Sequence, residues 1–346
     1  MKATENNLLG ICIPTYNRVN YLEQCLNSII HNISKFEFPI YISDNASPDG
    51  TYEFVSRIKD LYDKIEYGKN ERNIGPYLNI INVINMAKTD YIWLMGDDDA
   101  IKENKVDKLI ETLKAGYDYV ILNSVPYDSE LKNLKSDKII TCSTDKPYLK
   151  GQSGNLLVDL KKWAYHGFMS SMIIKTNLLS DVIQKYEDEE FVLYNNMWSP
   201  MALFYEAIKE SSGIFLCEPI VLNRDNPRAS GKDFWTYMYI DRIKAIEYLG
   251  ENGYSLELIK NSLDFKIVGT IFIGVISKCS NPSSILFNLV VKKDEVIPFY
   301  IKSIILIVDK TPLFLIKKIN AVINKMRTNR KSNFNLGKRG CKKIRV

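Results

Sequence analysis

The chain has 346 residues, 46% of them hydrophobic and 25% charged, with a net charge of +5, enough to bury one full domain and carry a smaller appended segment. No apolar run reaches the ~20 residues that a bilayer-spanning helix needs, and Met1-Lys2-Ala3-Thr4-Glu5-Asn6-Asn7 lacks the apolar core of a signal peptide. Cys12, Cys25, Cys142, Cys217, Cys279 and Cys341 are scattered, with no pair at metal spacing, and are expected to be reduced cytosolic thiols.

Leu8 to Ile13 is a short apolar run of buried-strand type, closed by Pro14-Thr15-Tyr16-Asn17-Arg18. Tyr21, Leu22, Cys25, Leu26, Ile29 and Ile30 follow at helical spacing. A second strand, Pro39 to Ser43, runs into the turn cluster Asp44-Asn45-Ala46-Ser47-Pro48-Asp49-Gly50 and a helix carrying Phe54, Val55, Ile58 and Leu61. The third unit is Ile65-Glu66-Tyr67, a polar loop from Asn70 to Gly75, and a helix with Leu78, Ile81, Ile84 and Met86. A fourth strand, Tyr91 to Met95, meets Gly96 and then three consecutive carboxylates, Asp97, Asp98 and Asp99. The alternation predicts a parallel sheet, in which ligands bind beyond the carboxyl ends of the strands where strand order reverses. Thr15, Asp44, Asn73 and Asp97 to Asp99 all fall just past strand ends and are expected on one rim. The triplet reads either as a solvated Asp-rich turn or as a site for Mg2+ or Mn2+, which take hard oxygen ligands and leave positions for substrate phosphates.

Further along, Phe168 to Ile174 reads as a strand, and Ile214 to Arg224 as a late strand feeding the basic loop Asp225 to Lys232. Arg224 in that setting is expected to reach a diphosphate, since Arg forks match phosphate oxygens. His166, in Trp163-Ala164-Tyr165-His166-Gly167-Phe168, reads either as a structural residue or as a lining of the acceptor site.

The motifs Pro14-Thr15-Tyr16-Asn17-Arg18, Ser43-Asp44-Asn45-Ala46-Ser47, Asn73-Ile74-Gly75 and the Asp triplet after an apolar strand resemble, in order and spacing, the family 2 glycosyltransferases of the GT-A fold. With Gly96 before the triplet, the chain is similar to abequosyltransferase-like and other sugar transferases of bacterial surface polysaccharide pathways. The resemblance implies an α/β fold, a Rossmann-like, mostly parallel sheet flanked by helices. It also implies a nucleoside diphosphate sugar donor, Mn2+ or Mg2+, and inversion at the anomeric carbon. Carried over, the pattern puts Pro14, Thr15, Tyr16 and Arg18 around the base and ribose, with Asp44 accepting a hydrogen bond from the base. Asp97 and Asp98 face the ribose and metal-bound waters, Asp97 and Asp99 are the metal carboxylates, and Asp99 bridges to the diphosphate.

An inverting transferase also needs a carboxylate base for the acceptor hydroxyl. Where relatives carry an acidic pair after the matching strand, this chain has Tyr194-Asn195-Asn196-Met197-Trp198. Asp188 and Glu190, in an acidic run with Glu189, and Glu206, on an apolar helix, are the base candidates.

Residues 1–233 are expected to form the GT-A domain and 234–346 a helical, basic segment. After Asp309 no acidic residue occurs, while lysines and arginines alternate with Leu313, Phe314, Leu315, Ile316, Ile319, Val322 and Ile323. That pattern predicts a helix on an anionic membrane surface, hence a peripheral protein on the cytoplasmic face acting on a lipid-linked saccharide. Nucleic acid and NAD are not expected as partners, the latter because no G-x-G-x-x-G follows the first strand. Two other readings stay open: a noncatalytic nucleotide-sugar binder within a polysaccharide assembly complex, and a nucleotidyltransferase, which lacks support because Pro14 to Arg18 contains no glycine.

Overall fold

The structure is a computed structural model that describes residues 7–160, 166–186, 196, 198–225, 242–255 and 258. The chain divides into two compact units, Met1–Asp264 and Phe265–Val346, and every described residue belongs to the first.

The first half alternates as the periodicity predicts: β1 (Leu9–Thr15), α1 (Val19–Ile33), β2 (Ile40–Asp44), α2 (Thr51–Lys59), β3 (Ile65–Lys69), α3 (Pro76–Met86) and β4 (Tyr91–Leu94). Helix α1 buries Leu22, Cys25, Leu26, Ile29 and Ile33, a stripe at three- and four-residue spacing that faces the sheet. Strand β4 is buried at all four positions, which explains a continuous apolar run in place of an alternating one. Then come β5 (Ala100–Ile101), α4 (Val106–Lys114), β6 (Tyr119–Tyr127), β7 (Lys146–Tyr148), α5 (Ser153–Asp159), β8 (Met172–Lys175), α6 (Thr176–Lys185), α7 (Ser199–Ile208), β9 (Gly213–Arg224) and α8 (Arg242–Glu251).

Among the described residues nine strands form one sheet in the order β3-β2-β1-β4-β8-β6-β9-β5, with β7 also on β9. The β3-β2-β1-β4 half is parallel. Strand β8 is antiparallel to both β4 and β6, while β6 and β9 run parallel. Strand order reverses at β1, which has β2 on one side and β4 on the other. The crevice between the ends of β1 and β4 is therefore the switch point, and Thr15 and the Asp triplet stand there. Helix α8 packs on α7 through Tyr248, whose hydroxyl donates to Glu206.

One expectation is corrected. Cys142 and Cys217 form a disulfide, with Cα atoms 5.8 Å apart and 75 residues between them in sequence. They meet because β6 and β9 pair, and Asn123 Nδ2 from β6 donates to the carbonyls of both Ile140 and Cys217, at 2.8 and 3.0 Å. A reducing compartment opposes such a bond. Cys12 and Cys25 are free and buried, as read from the sequence, while Cys279 and Cys341 lie outside the described residues. No helix among the described residues is long and apolar enough to cross a membrane. The expected basic amphipathic helix and the loop after Asp225 also lie outside them.

Candidate active site

The rim is built from polar residues at or just past the carboxyl ends of the parallel strands. Thr15 and Asp44 are register partners at the ends of β1 and β2, and the Asn45 N–H donates to the Thr15 carbonyl at 3.0 Å. Asp44 is fully buried. Its Oδ1 accepts the Ser47 N–H at 2.9 Å and its Oδ2 accepts the Tyr67 hydroxyl at 2.6 Å. Asp44 thus braces the turn after β2, and each of its oxygens keeps a second lone pair. Asn73 is drawn in by Asn45, whose Nδ2 donates to Asn73 Oδ1 at 2.9 Å while its Oδ1 accepts the Ile74 N–H at 2.9 Å. Asn17 (φ 53°) and Ala46 (φ 63°) adopt left-handed backbone in the two adjoining loops. For alanine that conformation costs about 1–2 kcal/mol, a concentration of backbone strain typical of ligand-clamping turns. Tyr16 is 44% exposed, so it is not a packing residue and presents its ring at the crevice mouth.

The triplet is the centre. Thr15 Oγ1 donates to Asp97 Oδ2 at 2.8 Å, and Arg18 Nη1 reaches Asp97 Oδ1 at 3.0 Å and Asp98 Oδ2 at 3.1 Å. Arg18, expected near the base, is thus an ion-pair partner of the triplet. Asp99 is held on both oxygens: Ser170 Oγ donates to Oδ2 at 2.5 Å, and the Arg224 N–H donates to Oδ1 at 3.0 Å. Ser170 Oγ also accepts the Gly96 N–H at 2.9 Å. A Cβ on Gly96 would lie 3.2 Å from Ser170 Oγ, Asp98 Oδ1 and Asp99 Oδ2, which is why glycine precedes the triplet. Burial pushes the Asp97 carboxyl up to about 6 and the Asp99 carboxyl up to about 8, with the charge of Asp98 adding to each. Arg18 and Thr15 oppose the rise at Asp97, as Ser170 and the Arg224 N–H do at Asp99.

These residues fit a divalent cation. Among the described residues no three His, Cys, Asp or Glu side chains converge as a complete ion cage. The triplet instead offers hard oxygens from one or two carboxylates, the number that Mg2+ takes from protein when phosphates supply other ligands. Two buried carboxyls whose charged forms are disfavoured are also groups that a dication would stabilise.

Matched as a sequence, residues 10–178 fit the family described as Glycosyl transferase family 2. This segment is a family 2 glycosyltransferase domain. Over 102 residues, 29% of this chain and 30% of the relative, the chain is 44% identical to "Abequosyltransferase RfbV" of Salmonella typhimurium. It is 29% identical over 116 residues, 33% of this chain and 37% of the relative, to "GalNAc(5)-diNAcBac-PP-undecaprenol beta-1,3-glucosyltransferase" of Campylobacter jejuni. The similarity therefore spans 30% and 37% of the length of these two curated relatives. In fold, the chain is similar to S. aureus TarS 1-349 in complex with UDP-GlcNAc, with a TM-score of 0.59 and 14% identity, covering 86% of this chain and 83% of that one. TarS 1-349 in complex with UDP gives a TM-score of 0.52 at 13% identity, covering 92% and 91%. The GT-A fold expected from the motifs is thereby established.

The remaining site candidates fare differently. Glu206 sits on the last turn of α7, where Lys185 Nζ lies 2.7 Å from its Oε1 and the hydroxyls of Tyr186 and Tyr248 donate to its carboxylate. Helix α7 ends at Ile208, and Ser212 at once bonds Asp118 at the foot of β6. The 12-residue strand β9 then runs from Gly213 to Arg224 at the triplet, on the order of 35 Å at the usual rise per residue. Glu206 is held in a cluster with Lys185, Tyr186 and Tyr248, and its role as base is a proposal. Asp188 and Glu190 lie outside the described residues. His166 is buried, with Nδ1 2.6 Å from the Tyr205 hydroxyl, the structural alternative weighed from sequence. Ser170 is a site residue that sequence reasoning passed over. Its signal was the polar pair Ser170-Ser171 inside an otherwise apolar strand-like run.

Proposed function

We propose that the chain is a metal-dependent, inverting glycosyltransferase that moves a sugar from a nucleoside diphosphate sugar to a lipid-linked saccharide in bacterial cell-surface polysaccharide synthesis. The observation that carries this reading is the buried Asp triplet at the switch point of the sheet, joined to Thr15 and Arg18 from the end of β1. Asn73 lines the nucleoside side of the crevice, Asp44 stands buried behind it as the acceptor proposed for the base, and the exposed Tyr16 stands at its mouth. Thr15 orients Asp97, Ser170 orients Asp99, and Arg18 brings a cation to the edge where phosphate would lie. Bound by Asp97 and Asp99, Mn2+ or Mg2+ would supply Lewis-acid stabilisation of the charge that builds on a leaving diphosphate. Glu206, Asp188 and Glu190 stand as the candidates for the base that takes the acceptor proton.

The test is a thermal-shift and calorimetric screen of the purified protein against UDP, TDP, GDP and CDP, each with and without Mn2+. One nucleotide is expected to raise the unfolding midpoint in the presence of metal, because a ligand bound only by the native state stabilises it. No response to any of the four removes the reading. Binding without turnover of the matching sugar donor, even with acceptor, favours the noncatalytic binder.

The chain is further proposed to be peripheral on an anionic membrane surface, through the basic and apolar pattern after Asp309. The expected result is that the full chain sediments with vesicles rich in anionic phospholipid, whereas a variant lacking residues 310–346 stays in the supernatant and keeps its nucleotide response. Equal sedimentation of both sinks the anchor.

A further inference from the structure

We propose that Arg224 is a positioning residue that fixes the Asp97–Asp99 turn, and that it is not a phosphate ligand. The inference rests on the reading of the triplet as the metal and donor site. Arg224 is 4% exposed. Three of its five guanidinium N–H groups go to neutral groups of the protein: Nε donates to the Asp98 carbonyl at 2.5 Å, Nη1 to the Ser129 carbonyl at 2.7 Å and Nη2 to Gln24 Oε1 at 2.9 Å. The guanidinium carbon lies 4.9 Å from the centre of the Tyr21 ring, a cation–π contact. Arg18, not Arg224, takes the ion pairs with Asp97 and Asp98.

A buried cation among neutral acceptors is a costly way to fill space, since an apolar side chain fills it without losing hydration. What the guanidinium adds is a rigid fork that reaches three elements at once. The triplet needs such a support. It sits between the end of β4 and the two-residue strand β5, which is tied to β9 only at Ala100–Leu222 and Ile101–Val221. Ser170 clamps it from the β8 side through Gly96 and Asp99. Arg224 clamps it from the β9 side, with its backbone N–H on Asp99 Oδ1 and its Nε on the Asp98 carbonyl. Asp99 Oδ2 then accepts Ser170 Oγ, and Oδ1 accepts the Arg224 N–H with Asn223 Nδ2 at 3.5 Å, which sets where the remaining lone pairs point. Through Gln24 and Tyr21, Arg224 also ties the triplet to α1, the helix whose first turn follows Arg18.

The experiment titrates Mn2+ into the full chain, alone and with whichever of UDP, TDP, GDP or CDP stabilises the wild type, read by the paramagnetic resonance of free Mn2+. Arg224→Lys keeps the charge and loses the fork. It is expected to weaken Mn2+ binding about 10- to 100-fold, the usual effect of removing a partner that orients a metal ligand, with nucleotide affinity in the absence of metal unchanged. Gln24→Ala removes one acceptor and leaves Arg224 and the triplet in place. It should shift Mn2+ binding in the same direction by a smaller factor, and it carries the test if Arg224→Lys does not fold. Wild-type Mn2+ affinity in the folded variants overturns the proposal, as does an equal loss of nucleotide affinity with and without metal, the mark of direct phosphate contact. If the wild type itself binds no Mn2+ with any of the four nucleotides, the transferase reading falls and takes the proposal with it.

Discussion

Asp99→Asn is expected to abolish the Mn2+-dependent stabilisation by nucleotide and to lower sugar transfer by ~10³-fold, the rate equivalent of the several kcal/mol a metal ion contributes to a departing phosphate. The fold should survive, because the amide is isosteric with the carboxylate. Its oxygen can still accept the Arg224 N–H, and its NH2 meets Ser170 Oγ, which has lone pairs to accept it. The pH dependence separates this from general damage. Burial pushes the Asp99 carboxyl up to about 8, well above the ordinary ~3.9 of an unfolded chain. Between those values the native state holds the proton more tightly than the unfolded state. Stability is therefore greatest below the unfolded value and declines as pH rises through that window. Without ligands, the asparagine variant should lack this part of the decline and unfold at or above the wild-type midpoint near pH 8. Adding the selected nucleotide with Mn2+ should reverse the order, raising the wild type alone. Scanning calorimetry at pH 6 and 8, with and without ligands, checks both halves. Retained metal-dependent stabilisation in the variant removes Asp99 from the metal site.

Trp93→Ala carries the largest expected loss of stability. The side chain is fully buried in β4, and truncating a core tryptophan costs about 3–5 kcal/mol through lost transfer energy and the cavity left behind. Its Nε1 also donates to the Ser170 carbonyl at 2.8 Å, so truncation leaves a buried acceptor unpaired, a further cost of about 1–3 kcal/mol. Against the roughly 5–15 kcal/mol that a folded domain retains, that is most of the margin. Urea unfolding followed by circular dichroism should show a midpoint far below wild type, and Trp93→Phe, which keeps an aromatic ring and loses the N–H, should fall between. The coupling to function runs through Ser170, which Trp93 holds by its carbonyl while its hydroxyl holds Asp99. The Phe variant should therefore bind Mn2+ more weakly than its small stability loss alone explains. A Trp93→Ala midpoint equal to wild type would sink the assignment of Trp93 as the packing support of the site.

Periodicity along the chain determined the first four strands and the helices between them, because alternation of buried runs with three- and four-residue stripes is a local property. For the same reason Thr15, Asp44, Asn73 and the Asp triplet could be placed on one rim before any coordinates. Each stands at or just past the carboxyl end of a parallel strand, and parallel strands bring such residues to the same edge. Tertiary structure alone decided what those residues touch. Ser170 reaches Asp99 across 71 positions and Gln24 reaches Arg224 across 200, and the disulfide joins cysteines 75 apart. None of these pairings leaves a period or a spacing in the sequence, since they arise from β8 and β9 returning to flank β4 and β6. Arg224 read as a free cation because charge is visible in a sequence and hydrogen-bond partners are not. The Asp triplet itself was evident at once, and its geometry waited on the packing of β8, β9 and α1 around it.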